Sequence, residues 1–256
     1  MTPEDFKIIN AKEKPELEQL NSELAEICWP EFMRQDPVAV HFNDLYRNFA
    51  DFQFGLEEKT TGRIVAIGNS IPLFWKMDFE NLPDDGWDWV IERGVKDRFT
   101  GKVPNMLSAI QVMIIPEFQG KGLSKVMVQA MKDIGVGYGF KTLIAPVRPS
   151  QKCEHPKMSM ERYIKLKNDK GLPYDAWMRV HASLGARIVK VCPLSMRITG
   201  TVEEWEFGRA TPRPSFCIHR SCLVLNLPSE IRFLLRLVNQ RKCRTDIRDD
   251  DSVVTP

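Results

Sequence analysis

The sequence predicts an α/β fold in which a mixed sheet is flanked by helices, and three observations carry that prediction. The apolar run Ile110 to Ile115 leads through Gln119-Gly120-Lys121-Gly122-Leu123-Ser124 into the helix-patterned segment Val126 to Ile134. Thr142-Leu143-Ile144-Ala145 then supplies a further strand, completing a strand-turn-helix-strand unit of the kind that builds parallel or mixed sheets. Upstream, the β-branched and apolar runs Phe52 to Glu57 and Arg63 to Ile71 flank Glu58-Lys59-Thr60-Thr61-Gly62, whose charge and glycine suit a hairpin turn.

Taken in order, Phe6 to Asn10 read as a first strand. Lys14-Pro15-Glu16-Leu17 opens a helix whose Leu17, Leu20, Leu24 and Ile27 recur at helical spacing until Trp29-Pro30 ends it. Asp36, as N-cap before Pro37, starts a second helix with Val40, Leu45, Tyr46 and Phe49 as buried positions. The two helices are expected to wall a pocket. After the hairpin, Pro72 to Val103 is irregular, holds Trp75, Trp87 and Trp89, turns at Pro83-Asp84-Asp85-Gly86, and reads as a long excursion containing a short helix. Gly135-Val136-Gly137-Tyr138-Gly139 follows a helix instead of joining a strand to one, so it reads as a helix stop and not as a dinucleotide loop.

Pro146 to Pro173 is polar and punctuated by prolines, with a helix-like Met160 to Lys167. Asp175 opens a helix that Gly185 closes after Leu184, Ala186 to Val191 gives a sixth strand, and Cys222 to Leu225 a late one. Ser229 to Lys242 has the pattern of a basic amphipathic helix, which docks on the body of the protein in preference to a membrane surface. The expected organisation is a single domain over residues 1–245 and a disordered acidic tail over 246–256.

Composition narrows the function classes. Over 256 residues, 43% hydrophobic and 27% charged content are those of a folded chain in water. A net charge of +2 is too small to recruit nucleic acid, no segment approaches a membrane span, and Met1 to Lys7 lack the pattern of a signal peptide, so a cytoplasmic location is expected. The six cysteines form no C-x-x-C pair, and Cys217 and Cys222 around His219 do not have a zinc spacing; reduced thiols and no metal are expected. As a nucleophile, the lone loop thiol of Cys153 lacks a placed base.

The glycine turn is the strongest chemical signal. Glycines let the backbone turn with its amides exposed, and a helix start presents unpaired N–H groups to an anion such as a pyrophosphate, without a metal. With Pro116 ending the strand and Glu117-Phe118 leading in, the run Val112 to Ser124 resembles the acyl-coenzyme A loop of the GNAT acyltransferases, Gln/Arg-x-x-Gly-x-Gly/Ala. Gln119 and Gly122 match, and Ser124 replaces the last small residue. The resemblance implies the GNAT fold, with a mostly antiparallel mixed sheet and here an elaborated N-terminal part. It also implies that Gln119, Gly120, Lys121, Gly122, Leu123 and Ser124 cradle the pyrophosphate, while the backbone of Val112, Met113 and Ile114 pairs with pantetheine.

Where that family commonly has a tyrosine that protonates the departing thiolate, four residues before a glycine, this chain has His181 before Gly185. Its usual asparagine after the fifth strand is replaced by Pro146-Val147-Arg148-Pro149-Ser150. These strings, with Gly171 to Asp175, Arg179-Val180-His181, Gly185-Ala186-Arg187 and Gly68 to Trp75, are similar to GNAT-like loading domains of curacin-type polyketide synthases, which implies His181 and Ser150 at the reaction centre and Trp75 in a pocket wall. The expected activity is transfer of an acetyl or other short acyl group from acetyl-coenzyme A to a small-molecule amine or carrier-protein thiol. Malonyl-coenzyme A decarboxylation with S-acetyl transfer is the alternative, for which a histidine and a hydroxyl could hold an enolate oxygen. A non-catalytic acyl-coenzyme A sensor is the alternative from another class.

Overall fold

The structure is a computed structural model and describes residues 2–29, 31–34, 36–196, 198, 201, 221–226 and 235–237. Phe6–Asn10 (β1) pairs antiparallel with Gln53–Glu58 (β2), β2 with Ile64–Leu73 (β3), and β3 with Met106–Ile114 (β4). Thr142–Pro146 (β5) then joins β4 in parallel. Ile188–Lys190 (β6), Ser221–Asn226 (β7) and Leu235–Leu237 (β8) extend the sheet, giving the order β1-β2-β3-β4-β5-β7-β8-β6. The sheet is therefore mixed and mostly antiparallel at its start, as the resemblance implies.

The helices are Leu17–Cys28 (α1), Glu31–Arg34 (α2), Phe42–Asn48 (α3), Trp87–Phe99 (α4), Leu123–Gly137 (α5), Met160–Tyr163 (α6) and Ala176–Ser183 (α7). Both α4 and α5 pack on β3 and β4, but α5 packs further on α7 and α4 on the turn Pro37–His41, so they cover opposite faces. Stacking of Phe42 on Trp87 at 6.1 Å ties α3 to the α4 side. Every residue of β2 and β3 is buried, which explains why these strands read as continuous runs and not as alternating ones.

Local capping chemistry explains several boundaries. Asp36 accepts a hydrogen bond from the Val38 N–H at 2.9 Å, but it caps a 3-10 turn, and α3 starts only at Phe42. Val40 is correspondingly 70% exposed, whereas Leu45, Tyr46 and Phe49 are buried as expected. The expected helix Met160 to Lys167 stops at Tyr163, and the sixth strand is only three residues long. Leu235–Leu237 is a strand where a basic helix was expected; the rest of that segment and the 246–256 tail lie outside the described residues. Cys28 and Cys192 are free thiols, while Cys153 is disulfide-bonded, contrary to the expectation of reduced cysteines.

The largest correction is α4, a 13-residue helix where a short one was expected. Gly94 in its middle weakens the helical signal of the sequence. Packing requires that glycine, because a Cβ there would lie 2.4 Å from Ile71 Cδ1 and 3.1 Å from the Pro72 carbonyl oxygen. Replacing it with alanine gains about 1 kcal/mol of helix propensity but overpacks the fully buried Ile71 at about 1–3 kcal/mol. Gly94→Ala is expected to lower stability in urea unfolding, and adding Ile71→Val to recover part of the loss.

Candidate active site

Strands β4 and β5 share only two ladder positions, Leu107 with Leu143 and Ser108 with Ile144, and then part. On its other edge β4 stays paired with β3, but Asn69 opposes Gln111 while Ser70 opposes Ala109, which leaves Ile110 as a bulge. The Ile110 carbonyl accepts a hydrogen bond from the indole N–H of Trp87 at 2.9 Å. Trp87 is itself held by the bond from its backbone N–H to Ser195 Oγ at 3.0 Å.

A cavity of about 280 Å³ opens where the strands part. Its walls come from β4 (Ala109 to Val112), α5 (Val128 and Met131), the Pro146 to Ser150 segment and α7 (Trp177 and His181), with Trp29, Trp87 and Met196 closing it. Because α5 and α4 lie on opposite faces, this cavity passes through the plane of the sheet. A second one of about 300 Å³, between α1 and α3, shares Trp29, Trp87, Gln111 and Met196 with the first.

Gln111 is locked at this shared waist. Its amide donates to Asn21 Oδ1 at 2.9 Å and Asn69 Oδ1 at 2.7 Å, while its carbonyl accepts from Trp29 Nε1 at 3.1 Å. Asn69 in turn donates to Tyr46 Oη and Gln53 Oε1, so the waist is anchored in a buried polar network.

His181 is 2% exposed and lies on the cavity wall. Its Nδ1 is 2.8 Å from the Trp177 carbonyl oxygen, which can only accept, so Nδ1 carries the proton and Nε2 of the neutral ring is an acceptor. Burial pulls its pKa down to about 4, and the bond to the Trp177 carbonyl opposes that shift only in part. The helix that carries it is fixed at both ends. Asp175, 1% exposed, accepts from the N–H groups of Trp177 and Met178 at 3.0 and 3.1 Å. At the other end Lys132 of α5 donates to the Leu184 carbonyl at 3.2 Å.

Asp175 also accepts from the Gln151 N–H at 2.7 Å, Tyr163 Oη at 2.9 Å and Ser150 Oγ at 3.4 Å. The structure therefore brings His181 and Ser150 to one cavity, and one carboxylate organises both. Ser150 is exposed, with its hydroxyl turned to that carboxylate.

The loop Gln119 to Ser124 lies at the start of α5. Gly120 and Gly122 have φ of +74° and +78°, a left-handed backbone that favours glycine, and a Cβ at either would point into open space. Gln119 donates to the Ile114 carbonyl at 2.9 Å and so folds the loop back on β4. Lys121 lies over the Phe118 ring at 4.5 Å, Leu123 is buried and Ser124 half-buried. Of the three strand residues, Val112 lines the cavity, Met113 is buried in the core and Ile114 is half-buried. Exposed glycine amides beside an unpaired strand edge suit an elongated thioester donor with a phosphate at one end.

Trp75 does not line this cavity. It sits past the end of β3, where its backbone exchanges hydrogen bonds with the Asn105 side chain and its ring meets Trp89 edge-on at 5.2 Å. The tryptophans of the wall are Trp29, Trp87 and Trp177, and the sequence reading missed them along with Arg148, Gln111 and Asp175 as site residues. The spacing Trp177 to His181, one helical turn, was the available signal for one of them. Among the described residues no cluster of three or more His, Cys, Asp or Glu could hold a metal, and no helix is long and apolar enough to cross a membrane.

The buried histidine gives a pH test. Between its unfolded value near 6.5 and its native value of about 4, the unfolded chain binds a proton that the native chain does not. Stability supplied by the neutral ring is thus present above about pH 6.5 and is lost as pH falls towards 4. Urea midpoints measured from pH 7 to 4 are expected to fall, and His181→Gln to flatten that decline relative to the parent chain.

No protein-family model matches the sequence. The chain is 30% identical over 193 residues to the arginine N-acetyltransferase AvaD of Aspergillus versicolor, an alignment that covers 70% of this chain and 66% of that protein, just under two thirds of its length. Among solved structures it is similar to the loading GNATL domain of CurA from Lyngbya majuscula, with a TM-score of 0.62 and 21% identity over 86% of this chain and 97% of that one. The parted β4 and β5, the glycine loop at the head of α5 and these two likenesses agree: the chain has the GNAT fold.

Proposed function

We propose that the chain transfers an acetyl or other short acyl group from acyl-coenzyme A to an amine acceptor, with His181 as general base. The observation that carries this reading is the cavity through the sheet, with a neutral histidine on its wall that has an acceptor nitrogen to offer. The unpaired edge of β4 and the Gln119 to Ser124 loop would hold the donor, whose thioester supplies the acyl carbon. The cavity between α1 and α3 would admit the acceptor from the other face, and the arginine of the AvaD name is an instance of such an amine. As the acceptor nitrogen bonds to the acyl carbon its proton becomes acidic, so even a weakly basic Nε2 can take it. The carbon–sulfur bond breaks, and the departing thiolate takes that proton from His181 and leaves as the thiol, which returns the ring to its neutral form.

Decarboxylation of a malonyl thioester is the second reading, favoured by the presence of both His181 and Ser150 at one cavity. It needs donors aimed at the enolate oxygen. With Nδ1–H committed to the Trp177 carbonyl, His181 would have to be protonated at Nε2 as well, which its low pKa opposes. Acyl transfer is therefore preferred.

Gly122→Glu is expected to weaken acetyl-coenzyme A binding by about tenfold or more, since it replaces a left-handed glycine and adds an anion; unchanged affinity in calorimetry would remove the donor site. His181→Ala is expected to lower kcat about a hundredfold with little change in donor affinity, read by free-thiol release with an amine panel. Carbon dioxide release from malonyl-coenzyme A would instead support the second reading. Donor binding without product from any acceptor would support a sensor.

A further inference from the structure

We propose that Arg148 makes the cavity a binding site for a substrate carboxylate. Among the described residues of the wall, Arg148 is the one that is charged at neutral pH, since His181 is neutral and the others are aromatic, aliphatic or uncharged polar groups. It stands on the same segment as Ser150, between Pro146 and Pro149, and is half-buried. Its guanidinium carbon lies 5.2 Å over the Trp29 ring, and one of its terminal nitrogens contacts the sulfur of the buried Met33.

A guanidinium carries its donors in its own plane, in the fork that matches a carboxylate, and the contact with the indole ring does not use them. Low-dielectric walls strengthen its pull on an anion. The glycine loop at the head of α5 is the separate place for phosphate, so the anion that enters this cavity is a small planar one next to the reacting groups. Two substrates can bring it: an acceptor that is an amino acid, or a donor whose acyl group ends in a carboxylate.

The inference rests on the acyl-transfer reading for what the cavity is for, but it is tested by binding alone. Calorimetry on the full chain compares two pairs that differ by one carboxylate: L-arginine with agmatine, in the presence of coenzyme A, and malonyl- with acetyl-coenzyme A. The carboxylate-bearing member of one pair is expected to bind about tenfold tighter or more. Arg148→Gln is expected to erase that advantage, and Arg148→Lys, which keeps the charge without the fork, to retain part of it. Preference in the first pair assigns the carboxylate to the acceptor, and preference in the second assigns it to the acyl group. Equal affinities in both pairs, or an advantage that survives Arg148→Gln, would overturn the proposal. Persistent carboxylate preference without turnover of any donor and acceptor would leave the site standing and remove the acyl-transfer reading instead.

Discussion

A sheet that parts in its middle exposes backbone donors and acceptors where a protein normally pairs them, and this chain is organised around that constraint. β4 and β5 separate after Ser108, and the surrounding elements hold the gap open. Val128 and Met131 fill beneath it from α5, and Trp29 and Trp87 stand on the other face. The Ile110 bulge twists β4 at that point, and the Trp87 indole satisfies the carbonyl that the bulge releases. A gap maintained at this cost is suited to a guest that completes the sheet, as an extended amide-bearing chain does.

The same region is stiffened by polar contacts. Gln111 uses both amide hydrogens and its oxygen within the protein, and Asn69, Gln53 and Tyr46 extend the network into the core. Fully satisfied buried networks favour one arrangement over its neighbours. Trp29, which borders both cavities, is positioned by that network and by the cation above its ring.

What was legible in the sequence was what is local. The hairpin at Glu58 to Gly62, the glycine loop before α5 and the cap at Asp175 depend on neighbouring residues and could be read from them. Asp36 shows the limit of such signals: the cap exists, but what it caps was settled by packing. α4 was under-read because Gly94 answers to Ile71 on a strand and not to helix propensity. Three tryptophans in Pro72 to Val103 are alike in sequence, and only the bulge in a strand that follows them singles out Trp87 over Trp75. His181 and Ser150 were brought forward by resemblance, whereas the link between them runs through a carboxylate 25 residues beyond Ser150 in the chain.

That link has a mechanical meaning. Asp175 is at once the cap of the helix under His181 and the anchor of the segment that bears Ser150 and, two residues earlier, Arg148. The two walls are therefore tied together, by this carboxylate and by the Ala176 N–H, which donates to Gln151 Oε1 at 2.9 Å. Loss of the Asp175 carboxylate would therefore disturb His181 and Ser150 together, on the wall that faces Trp29 and Met33.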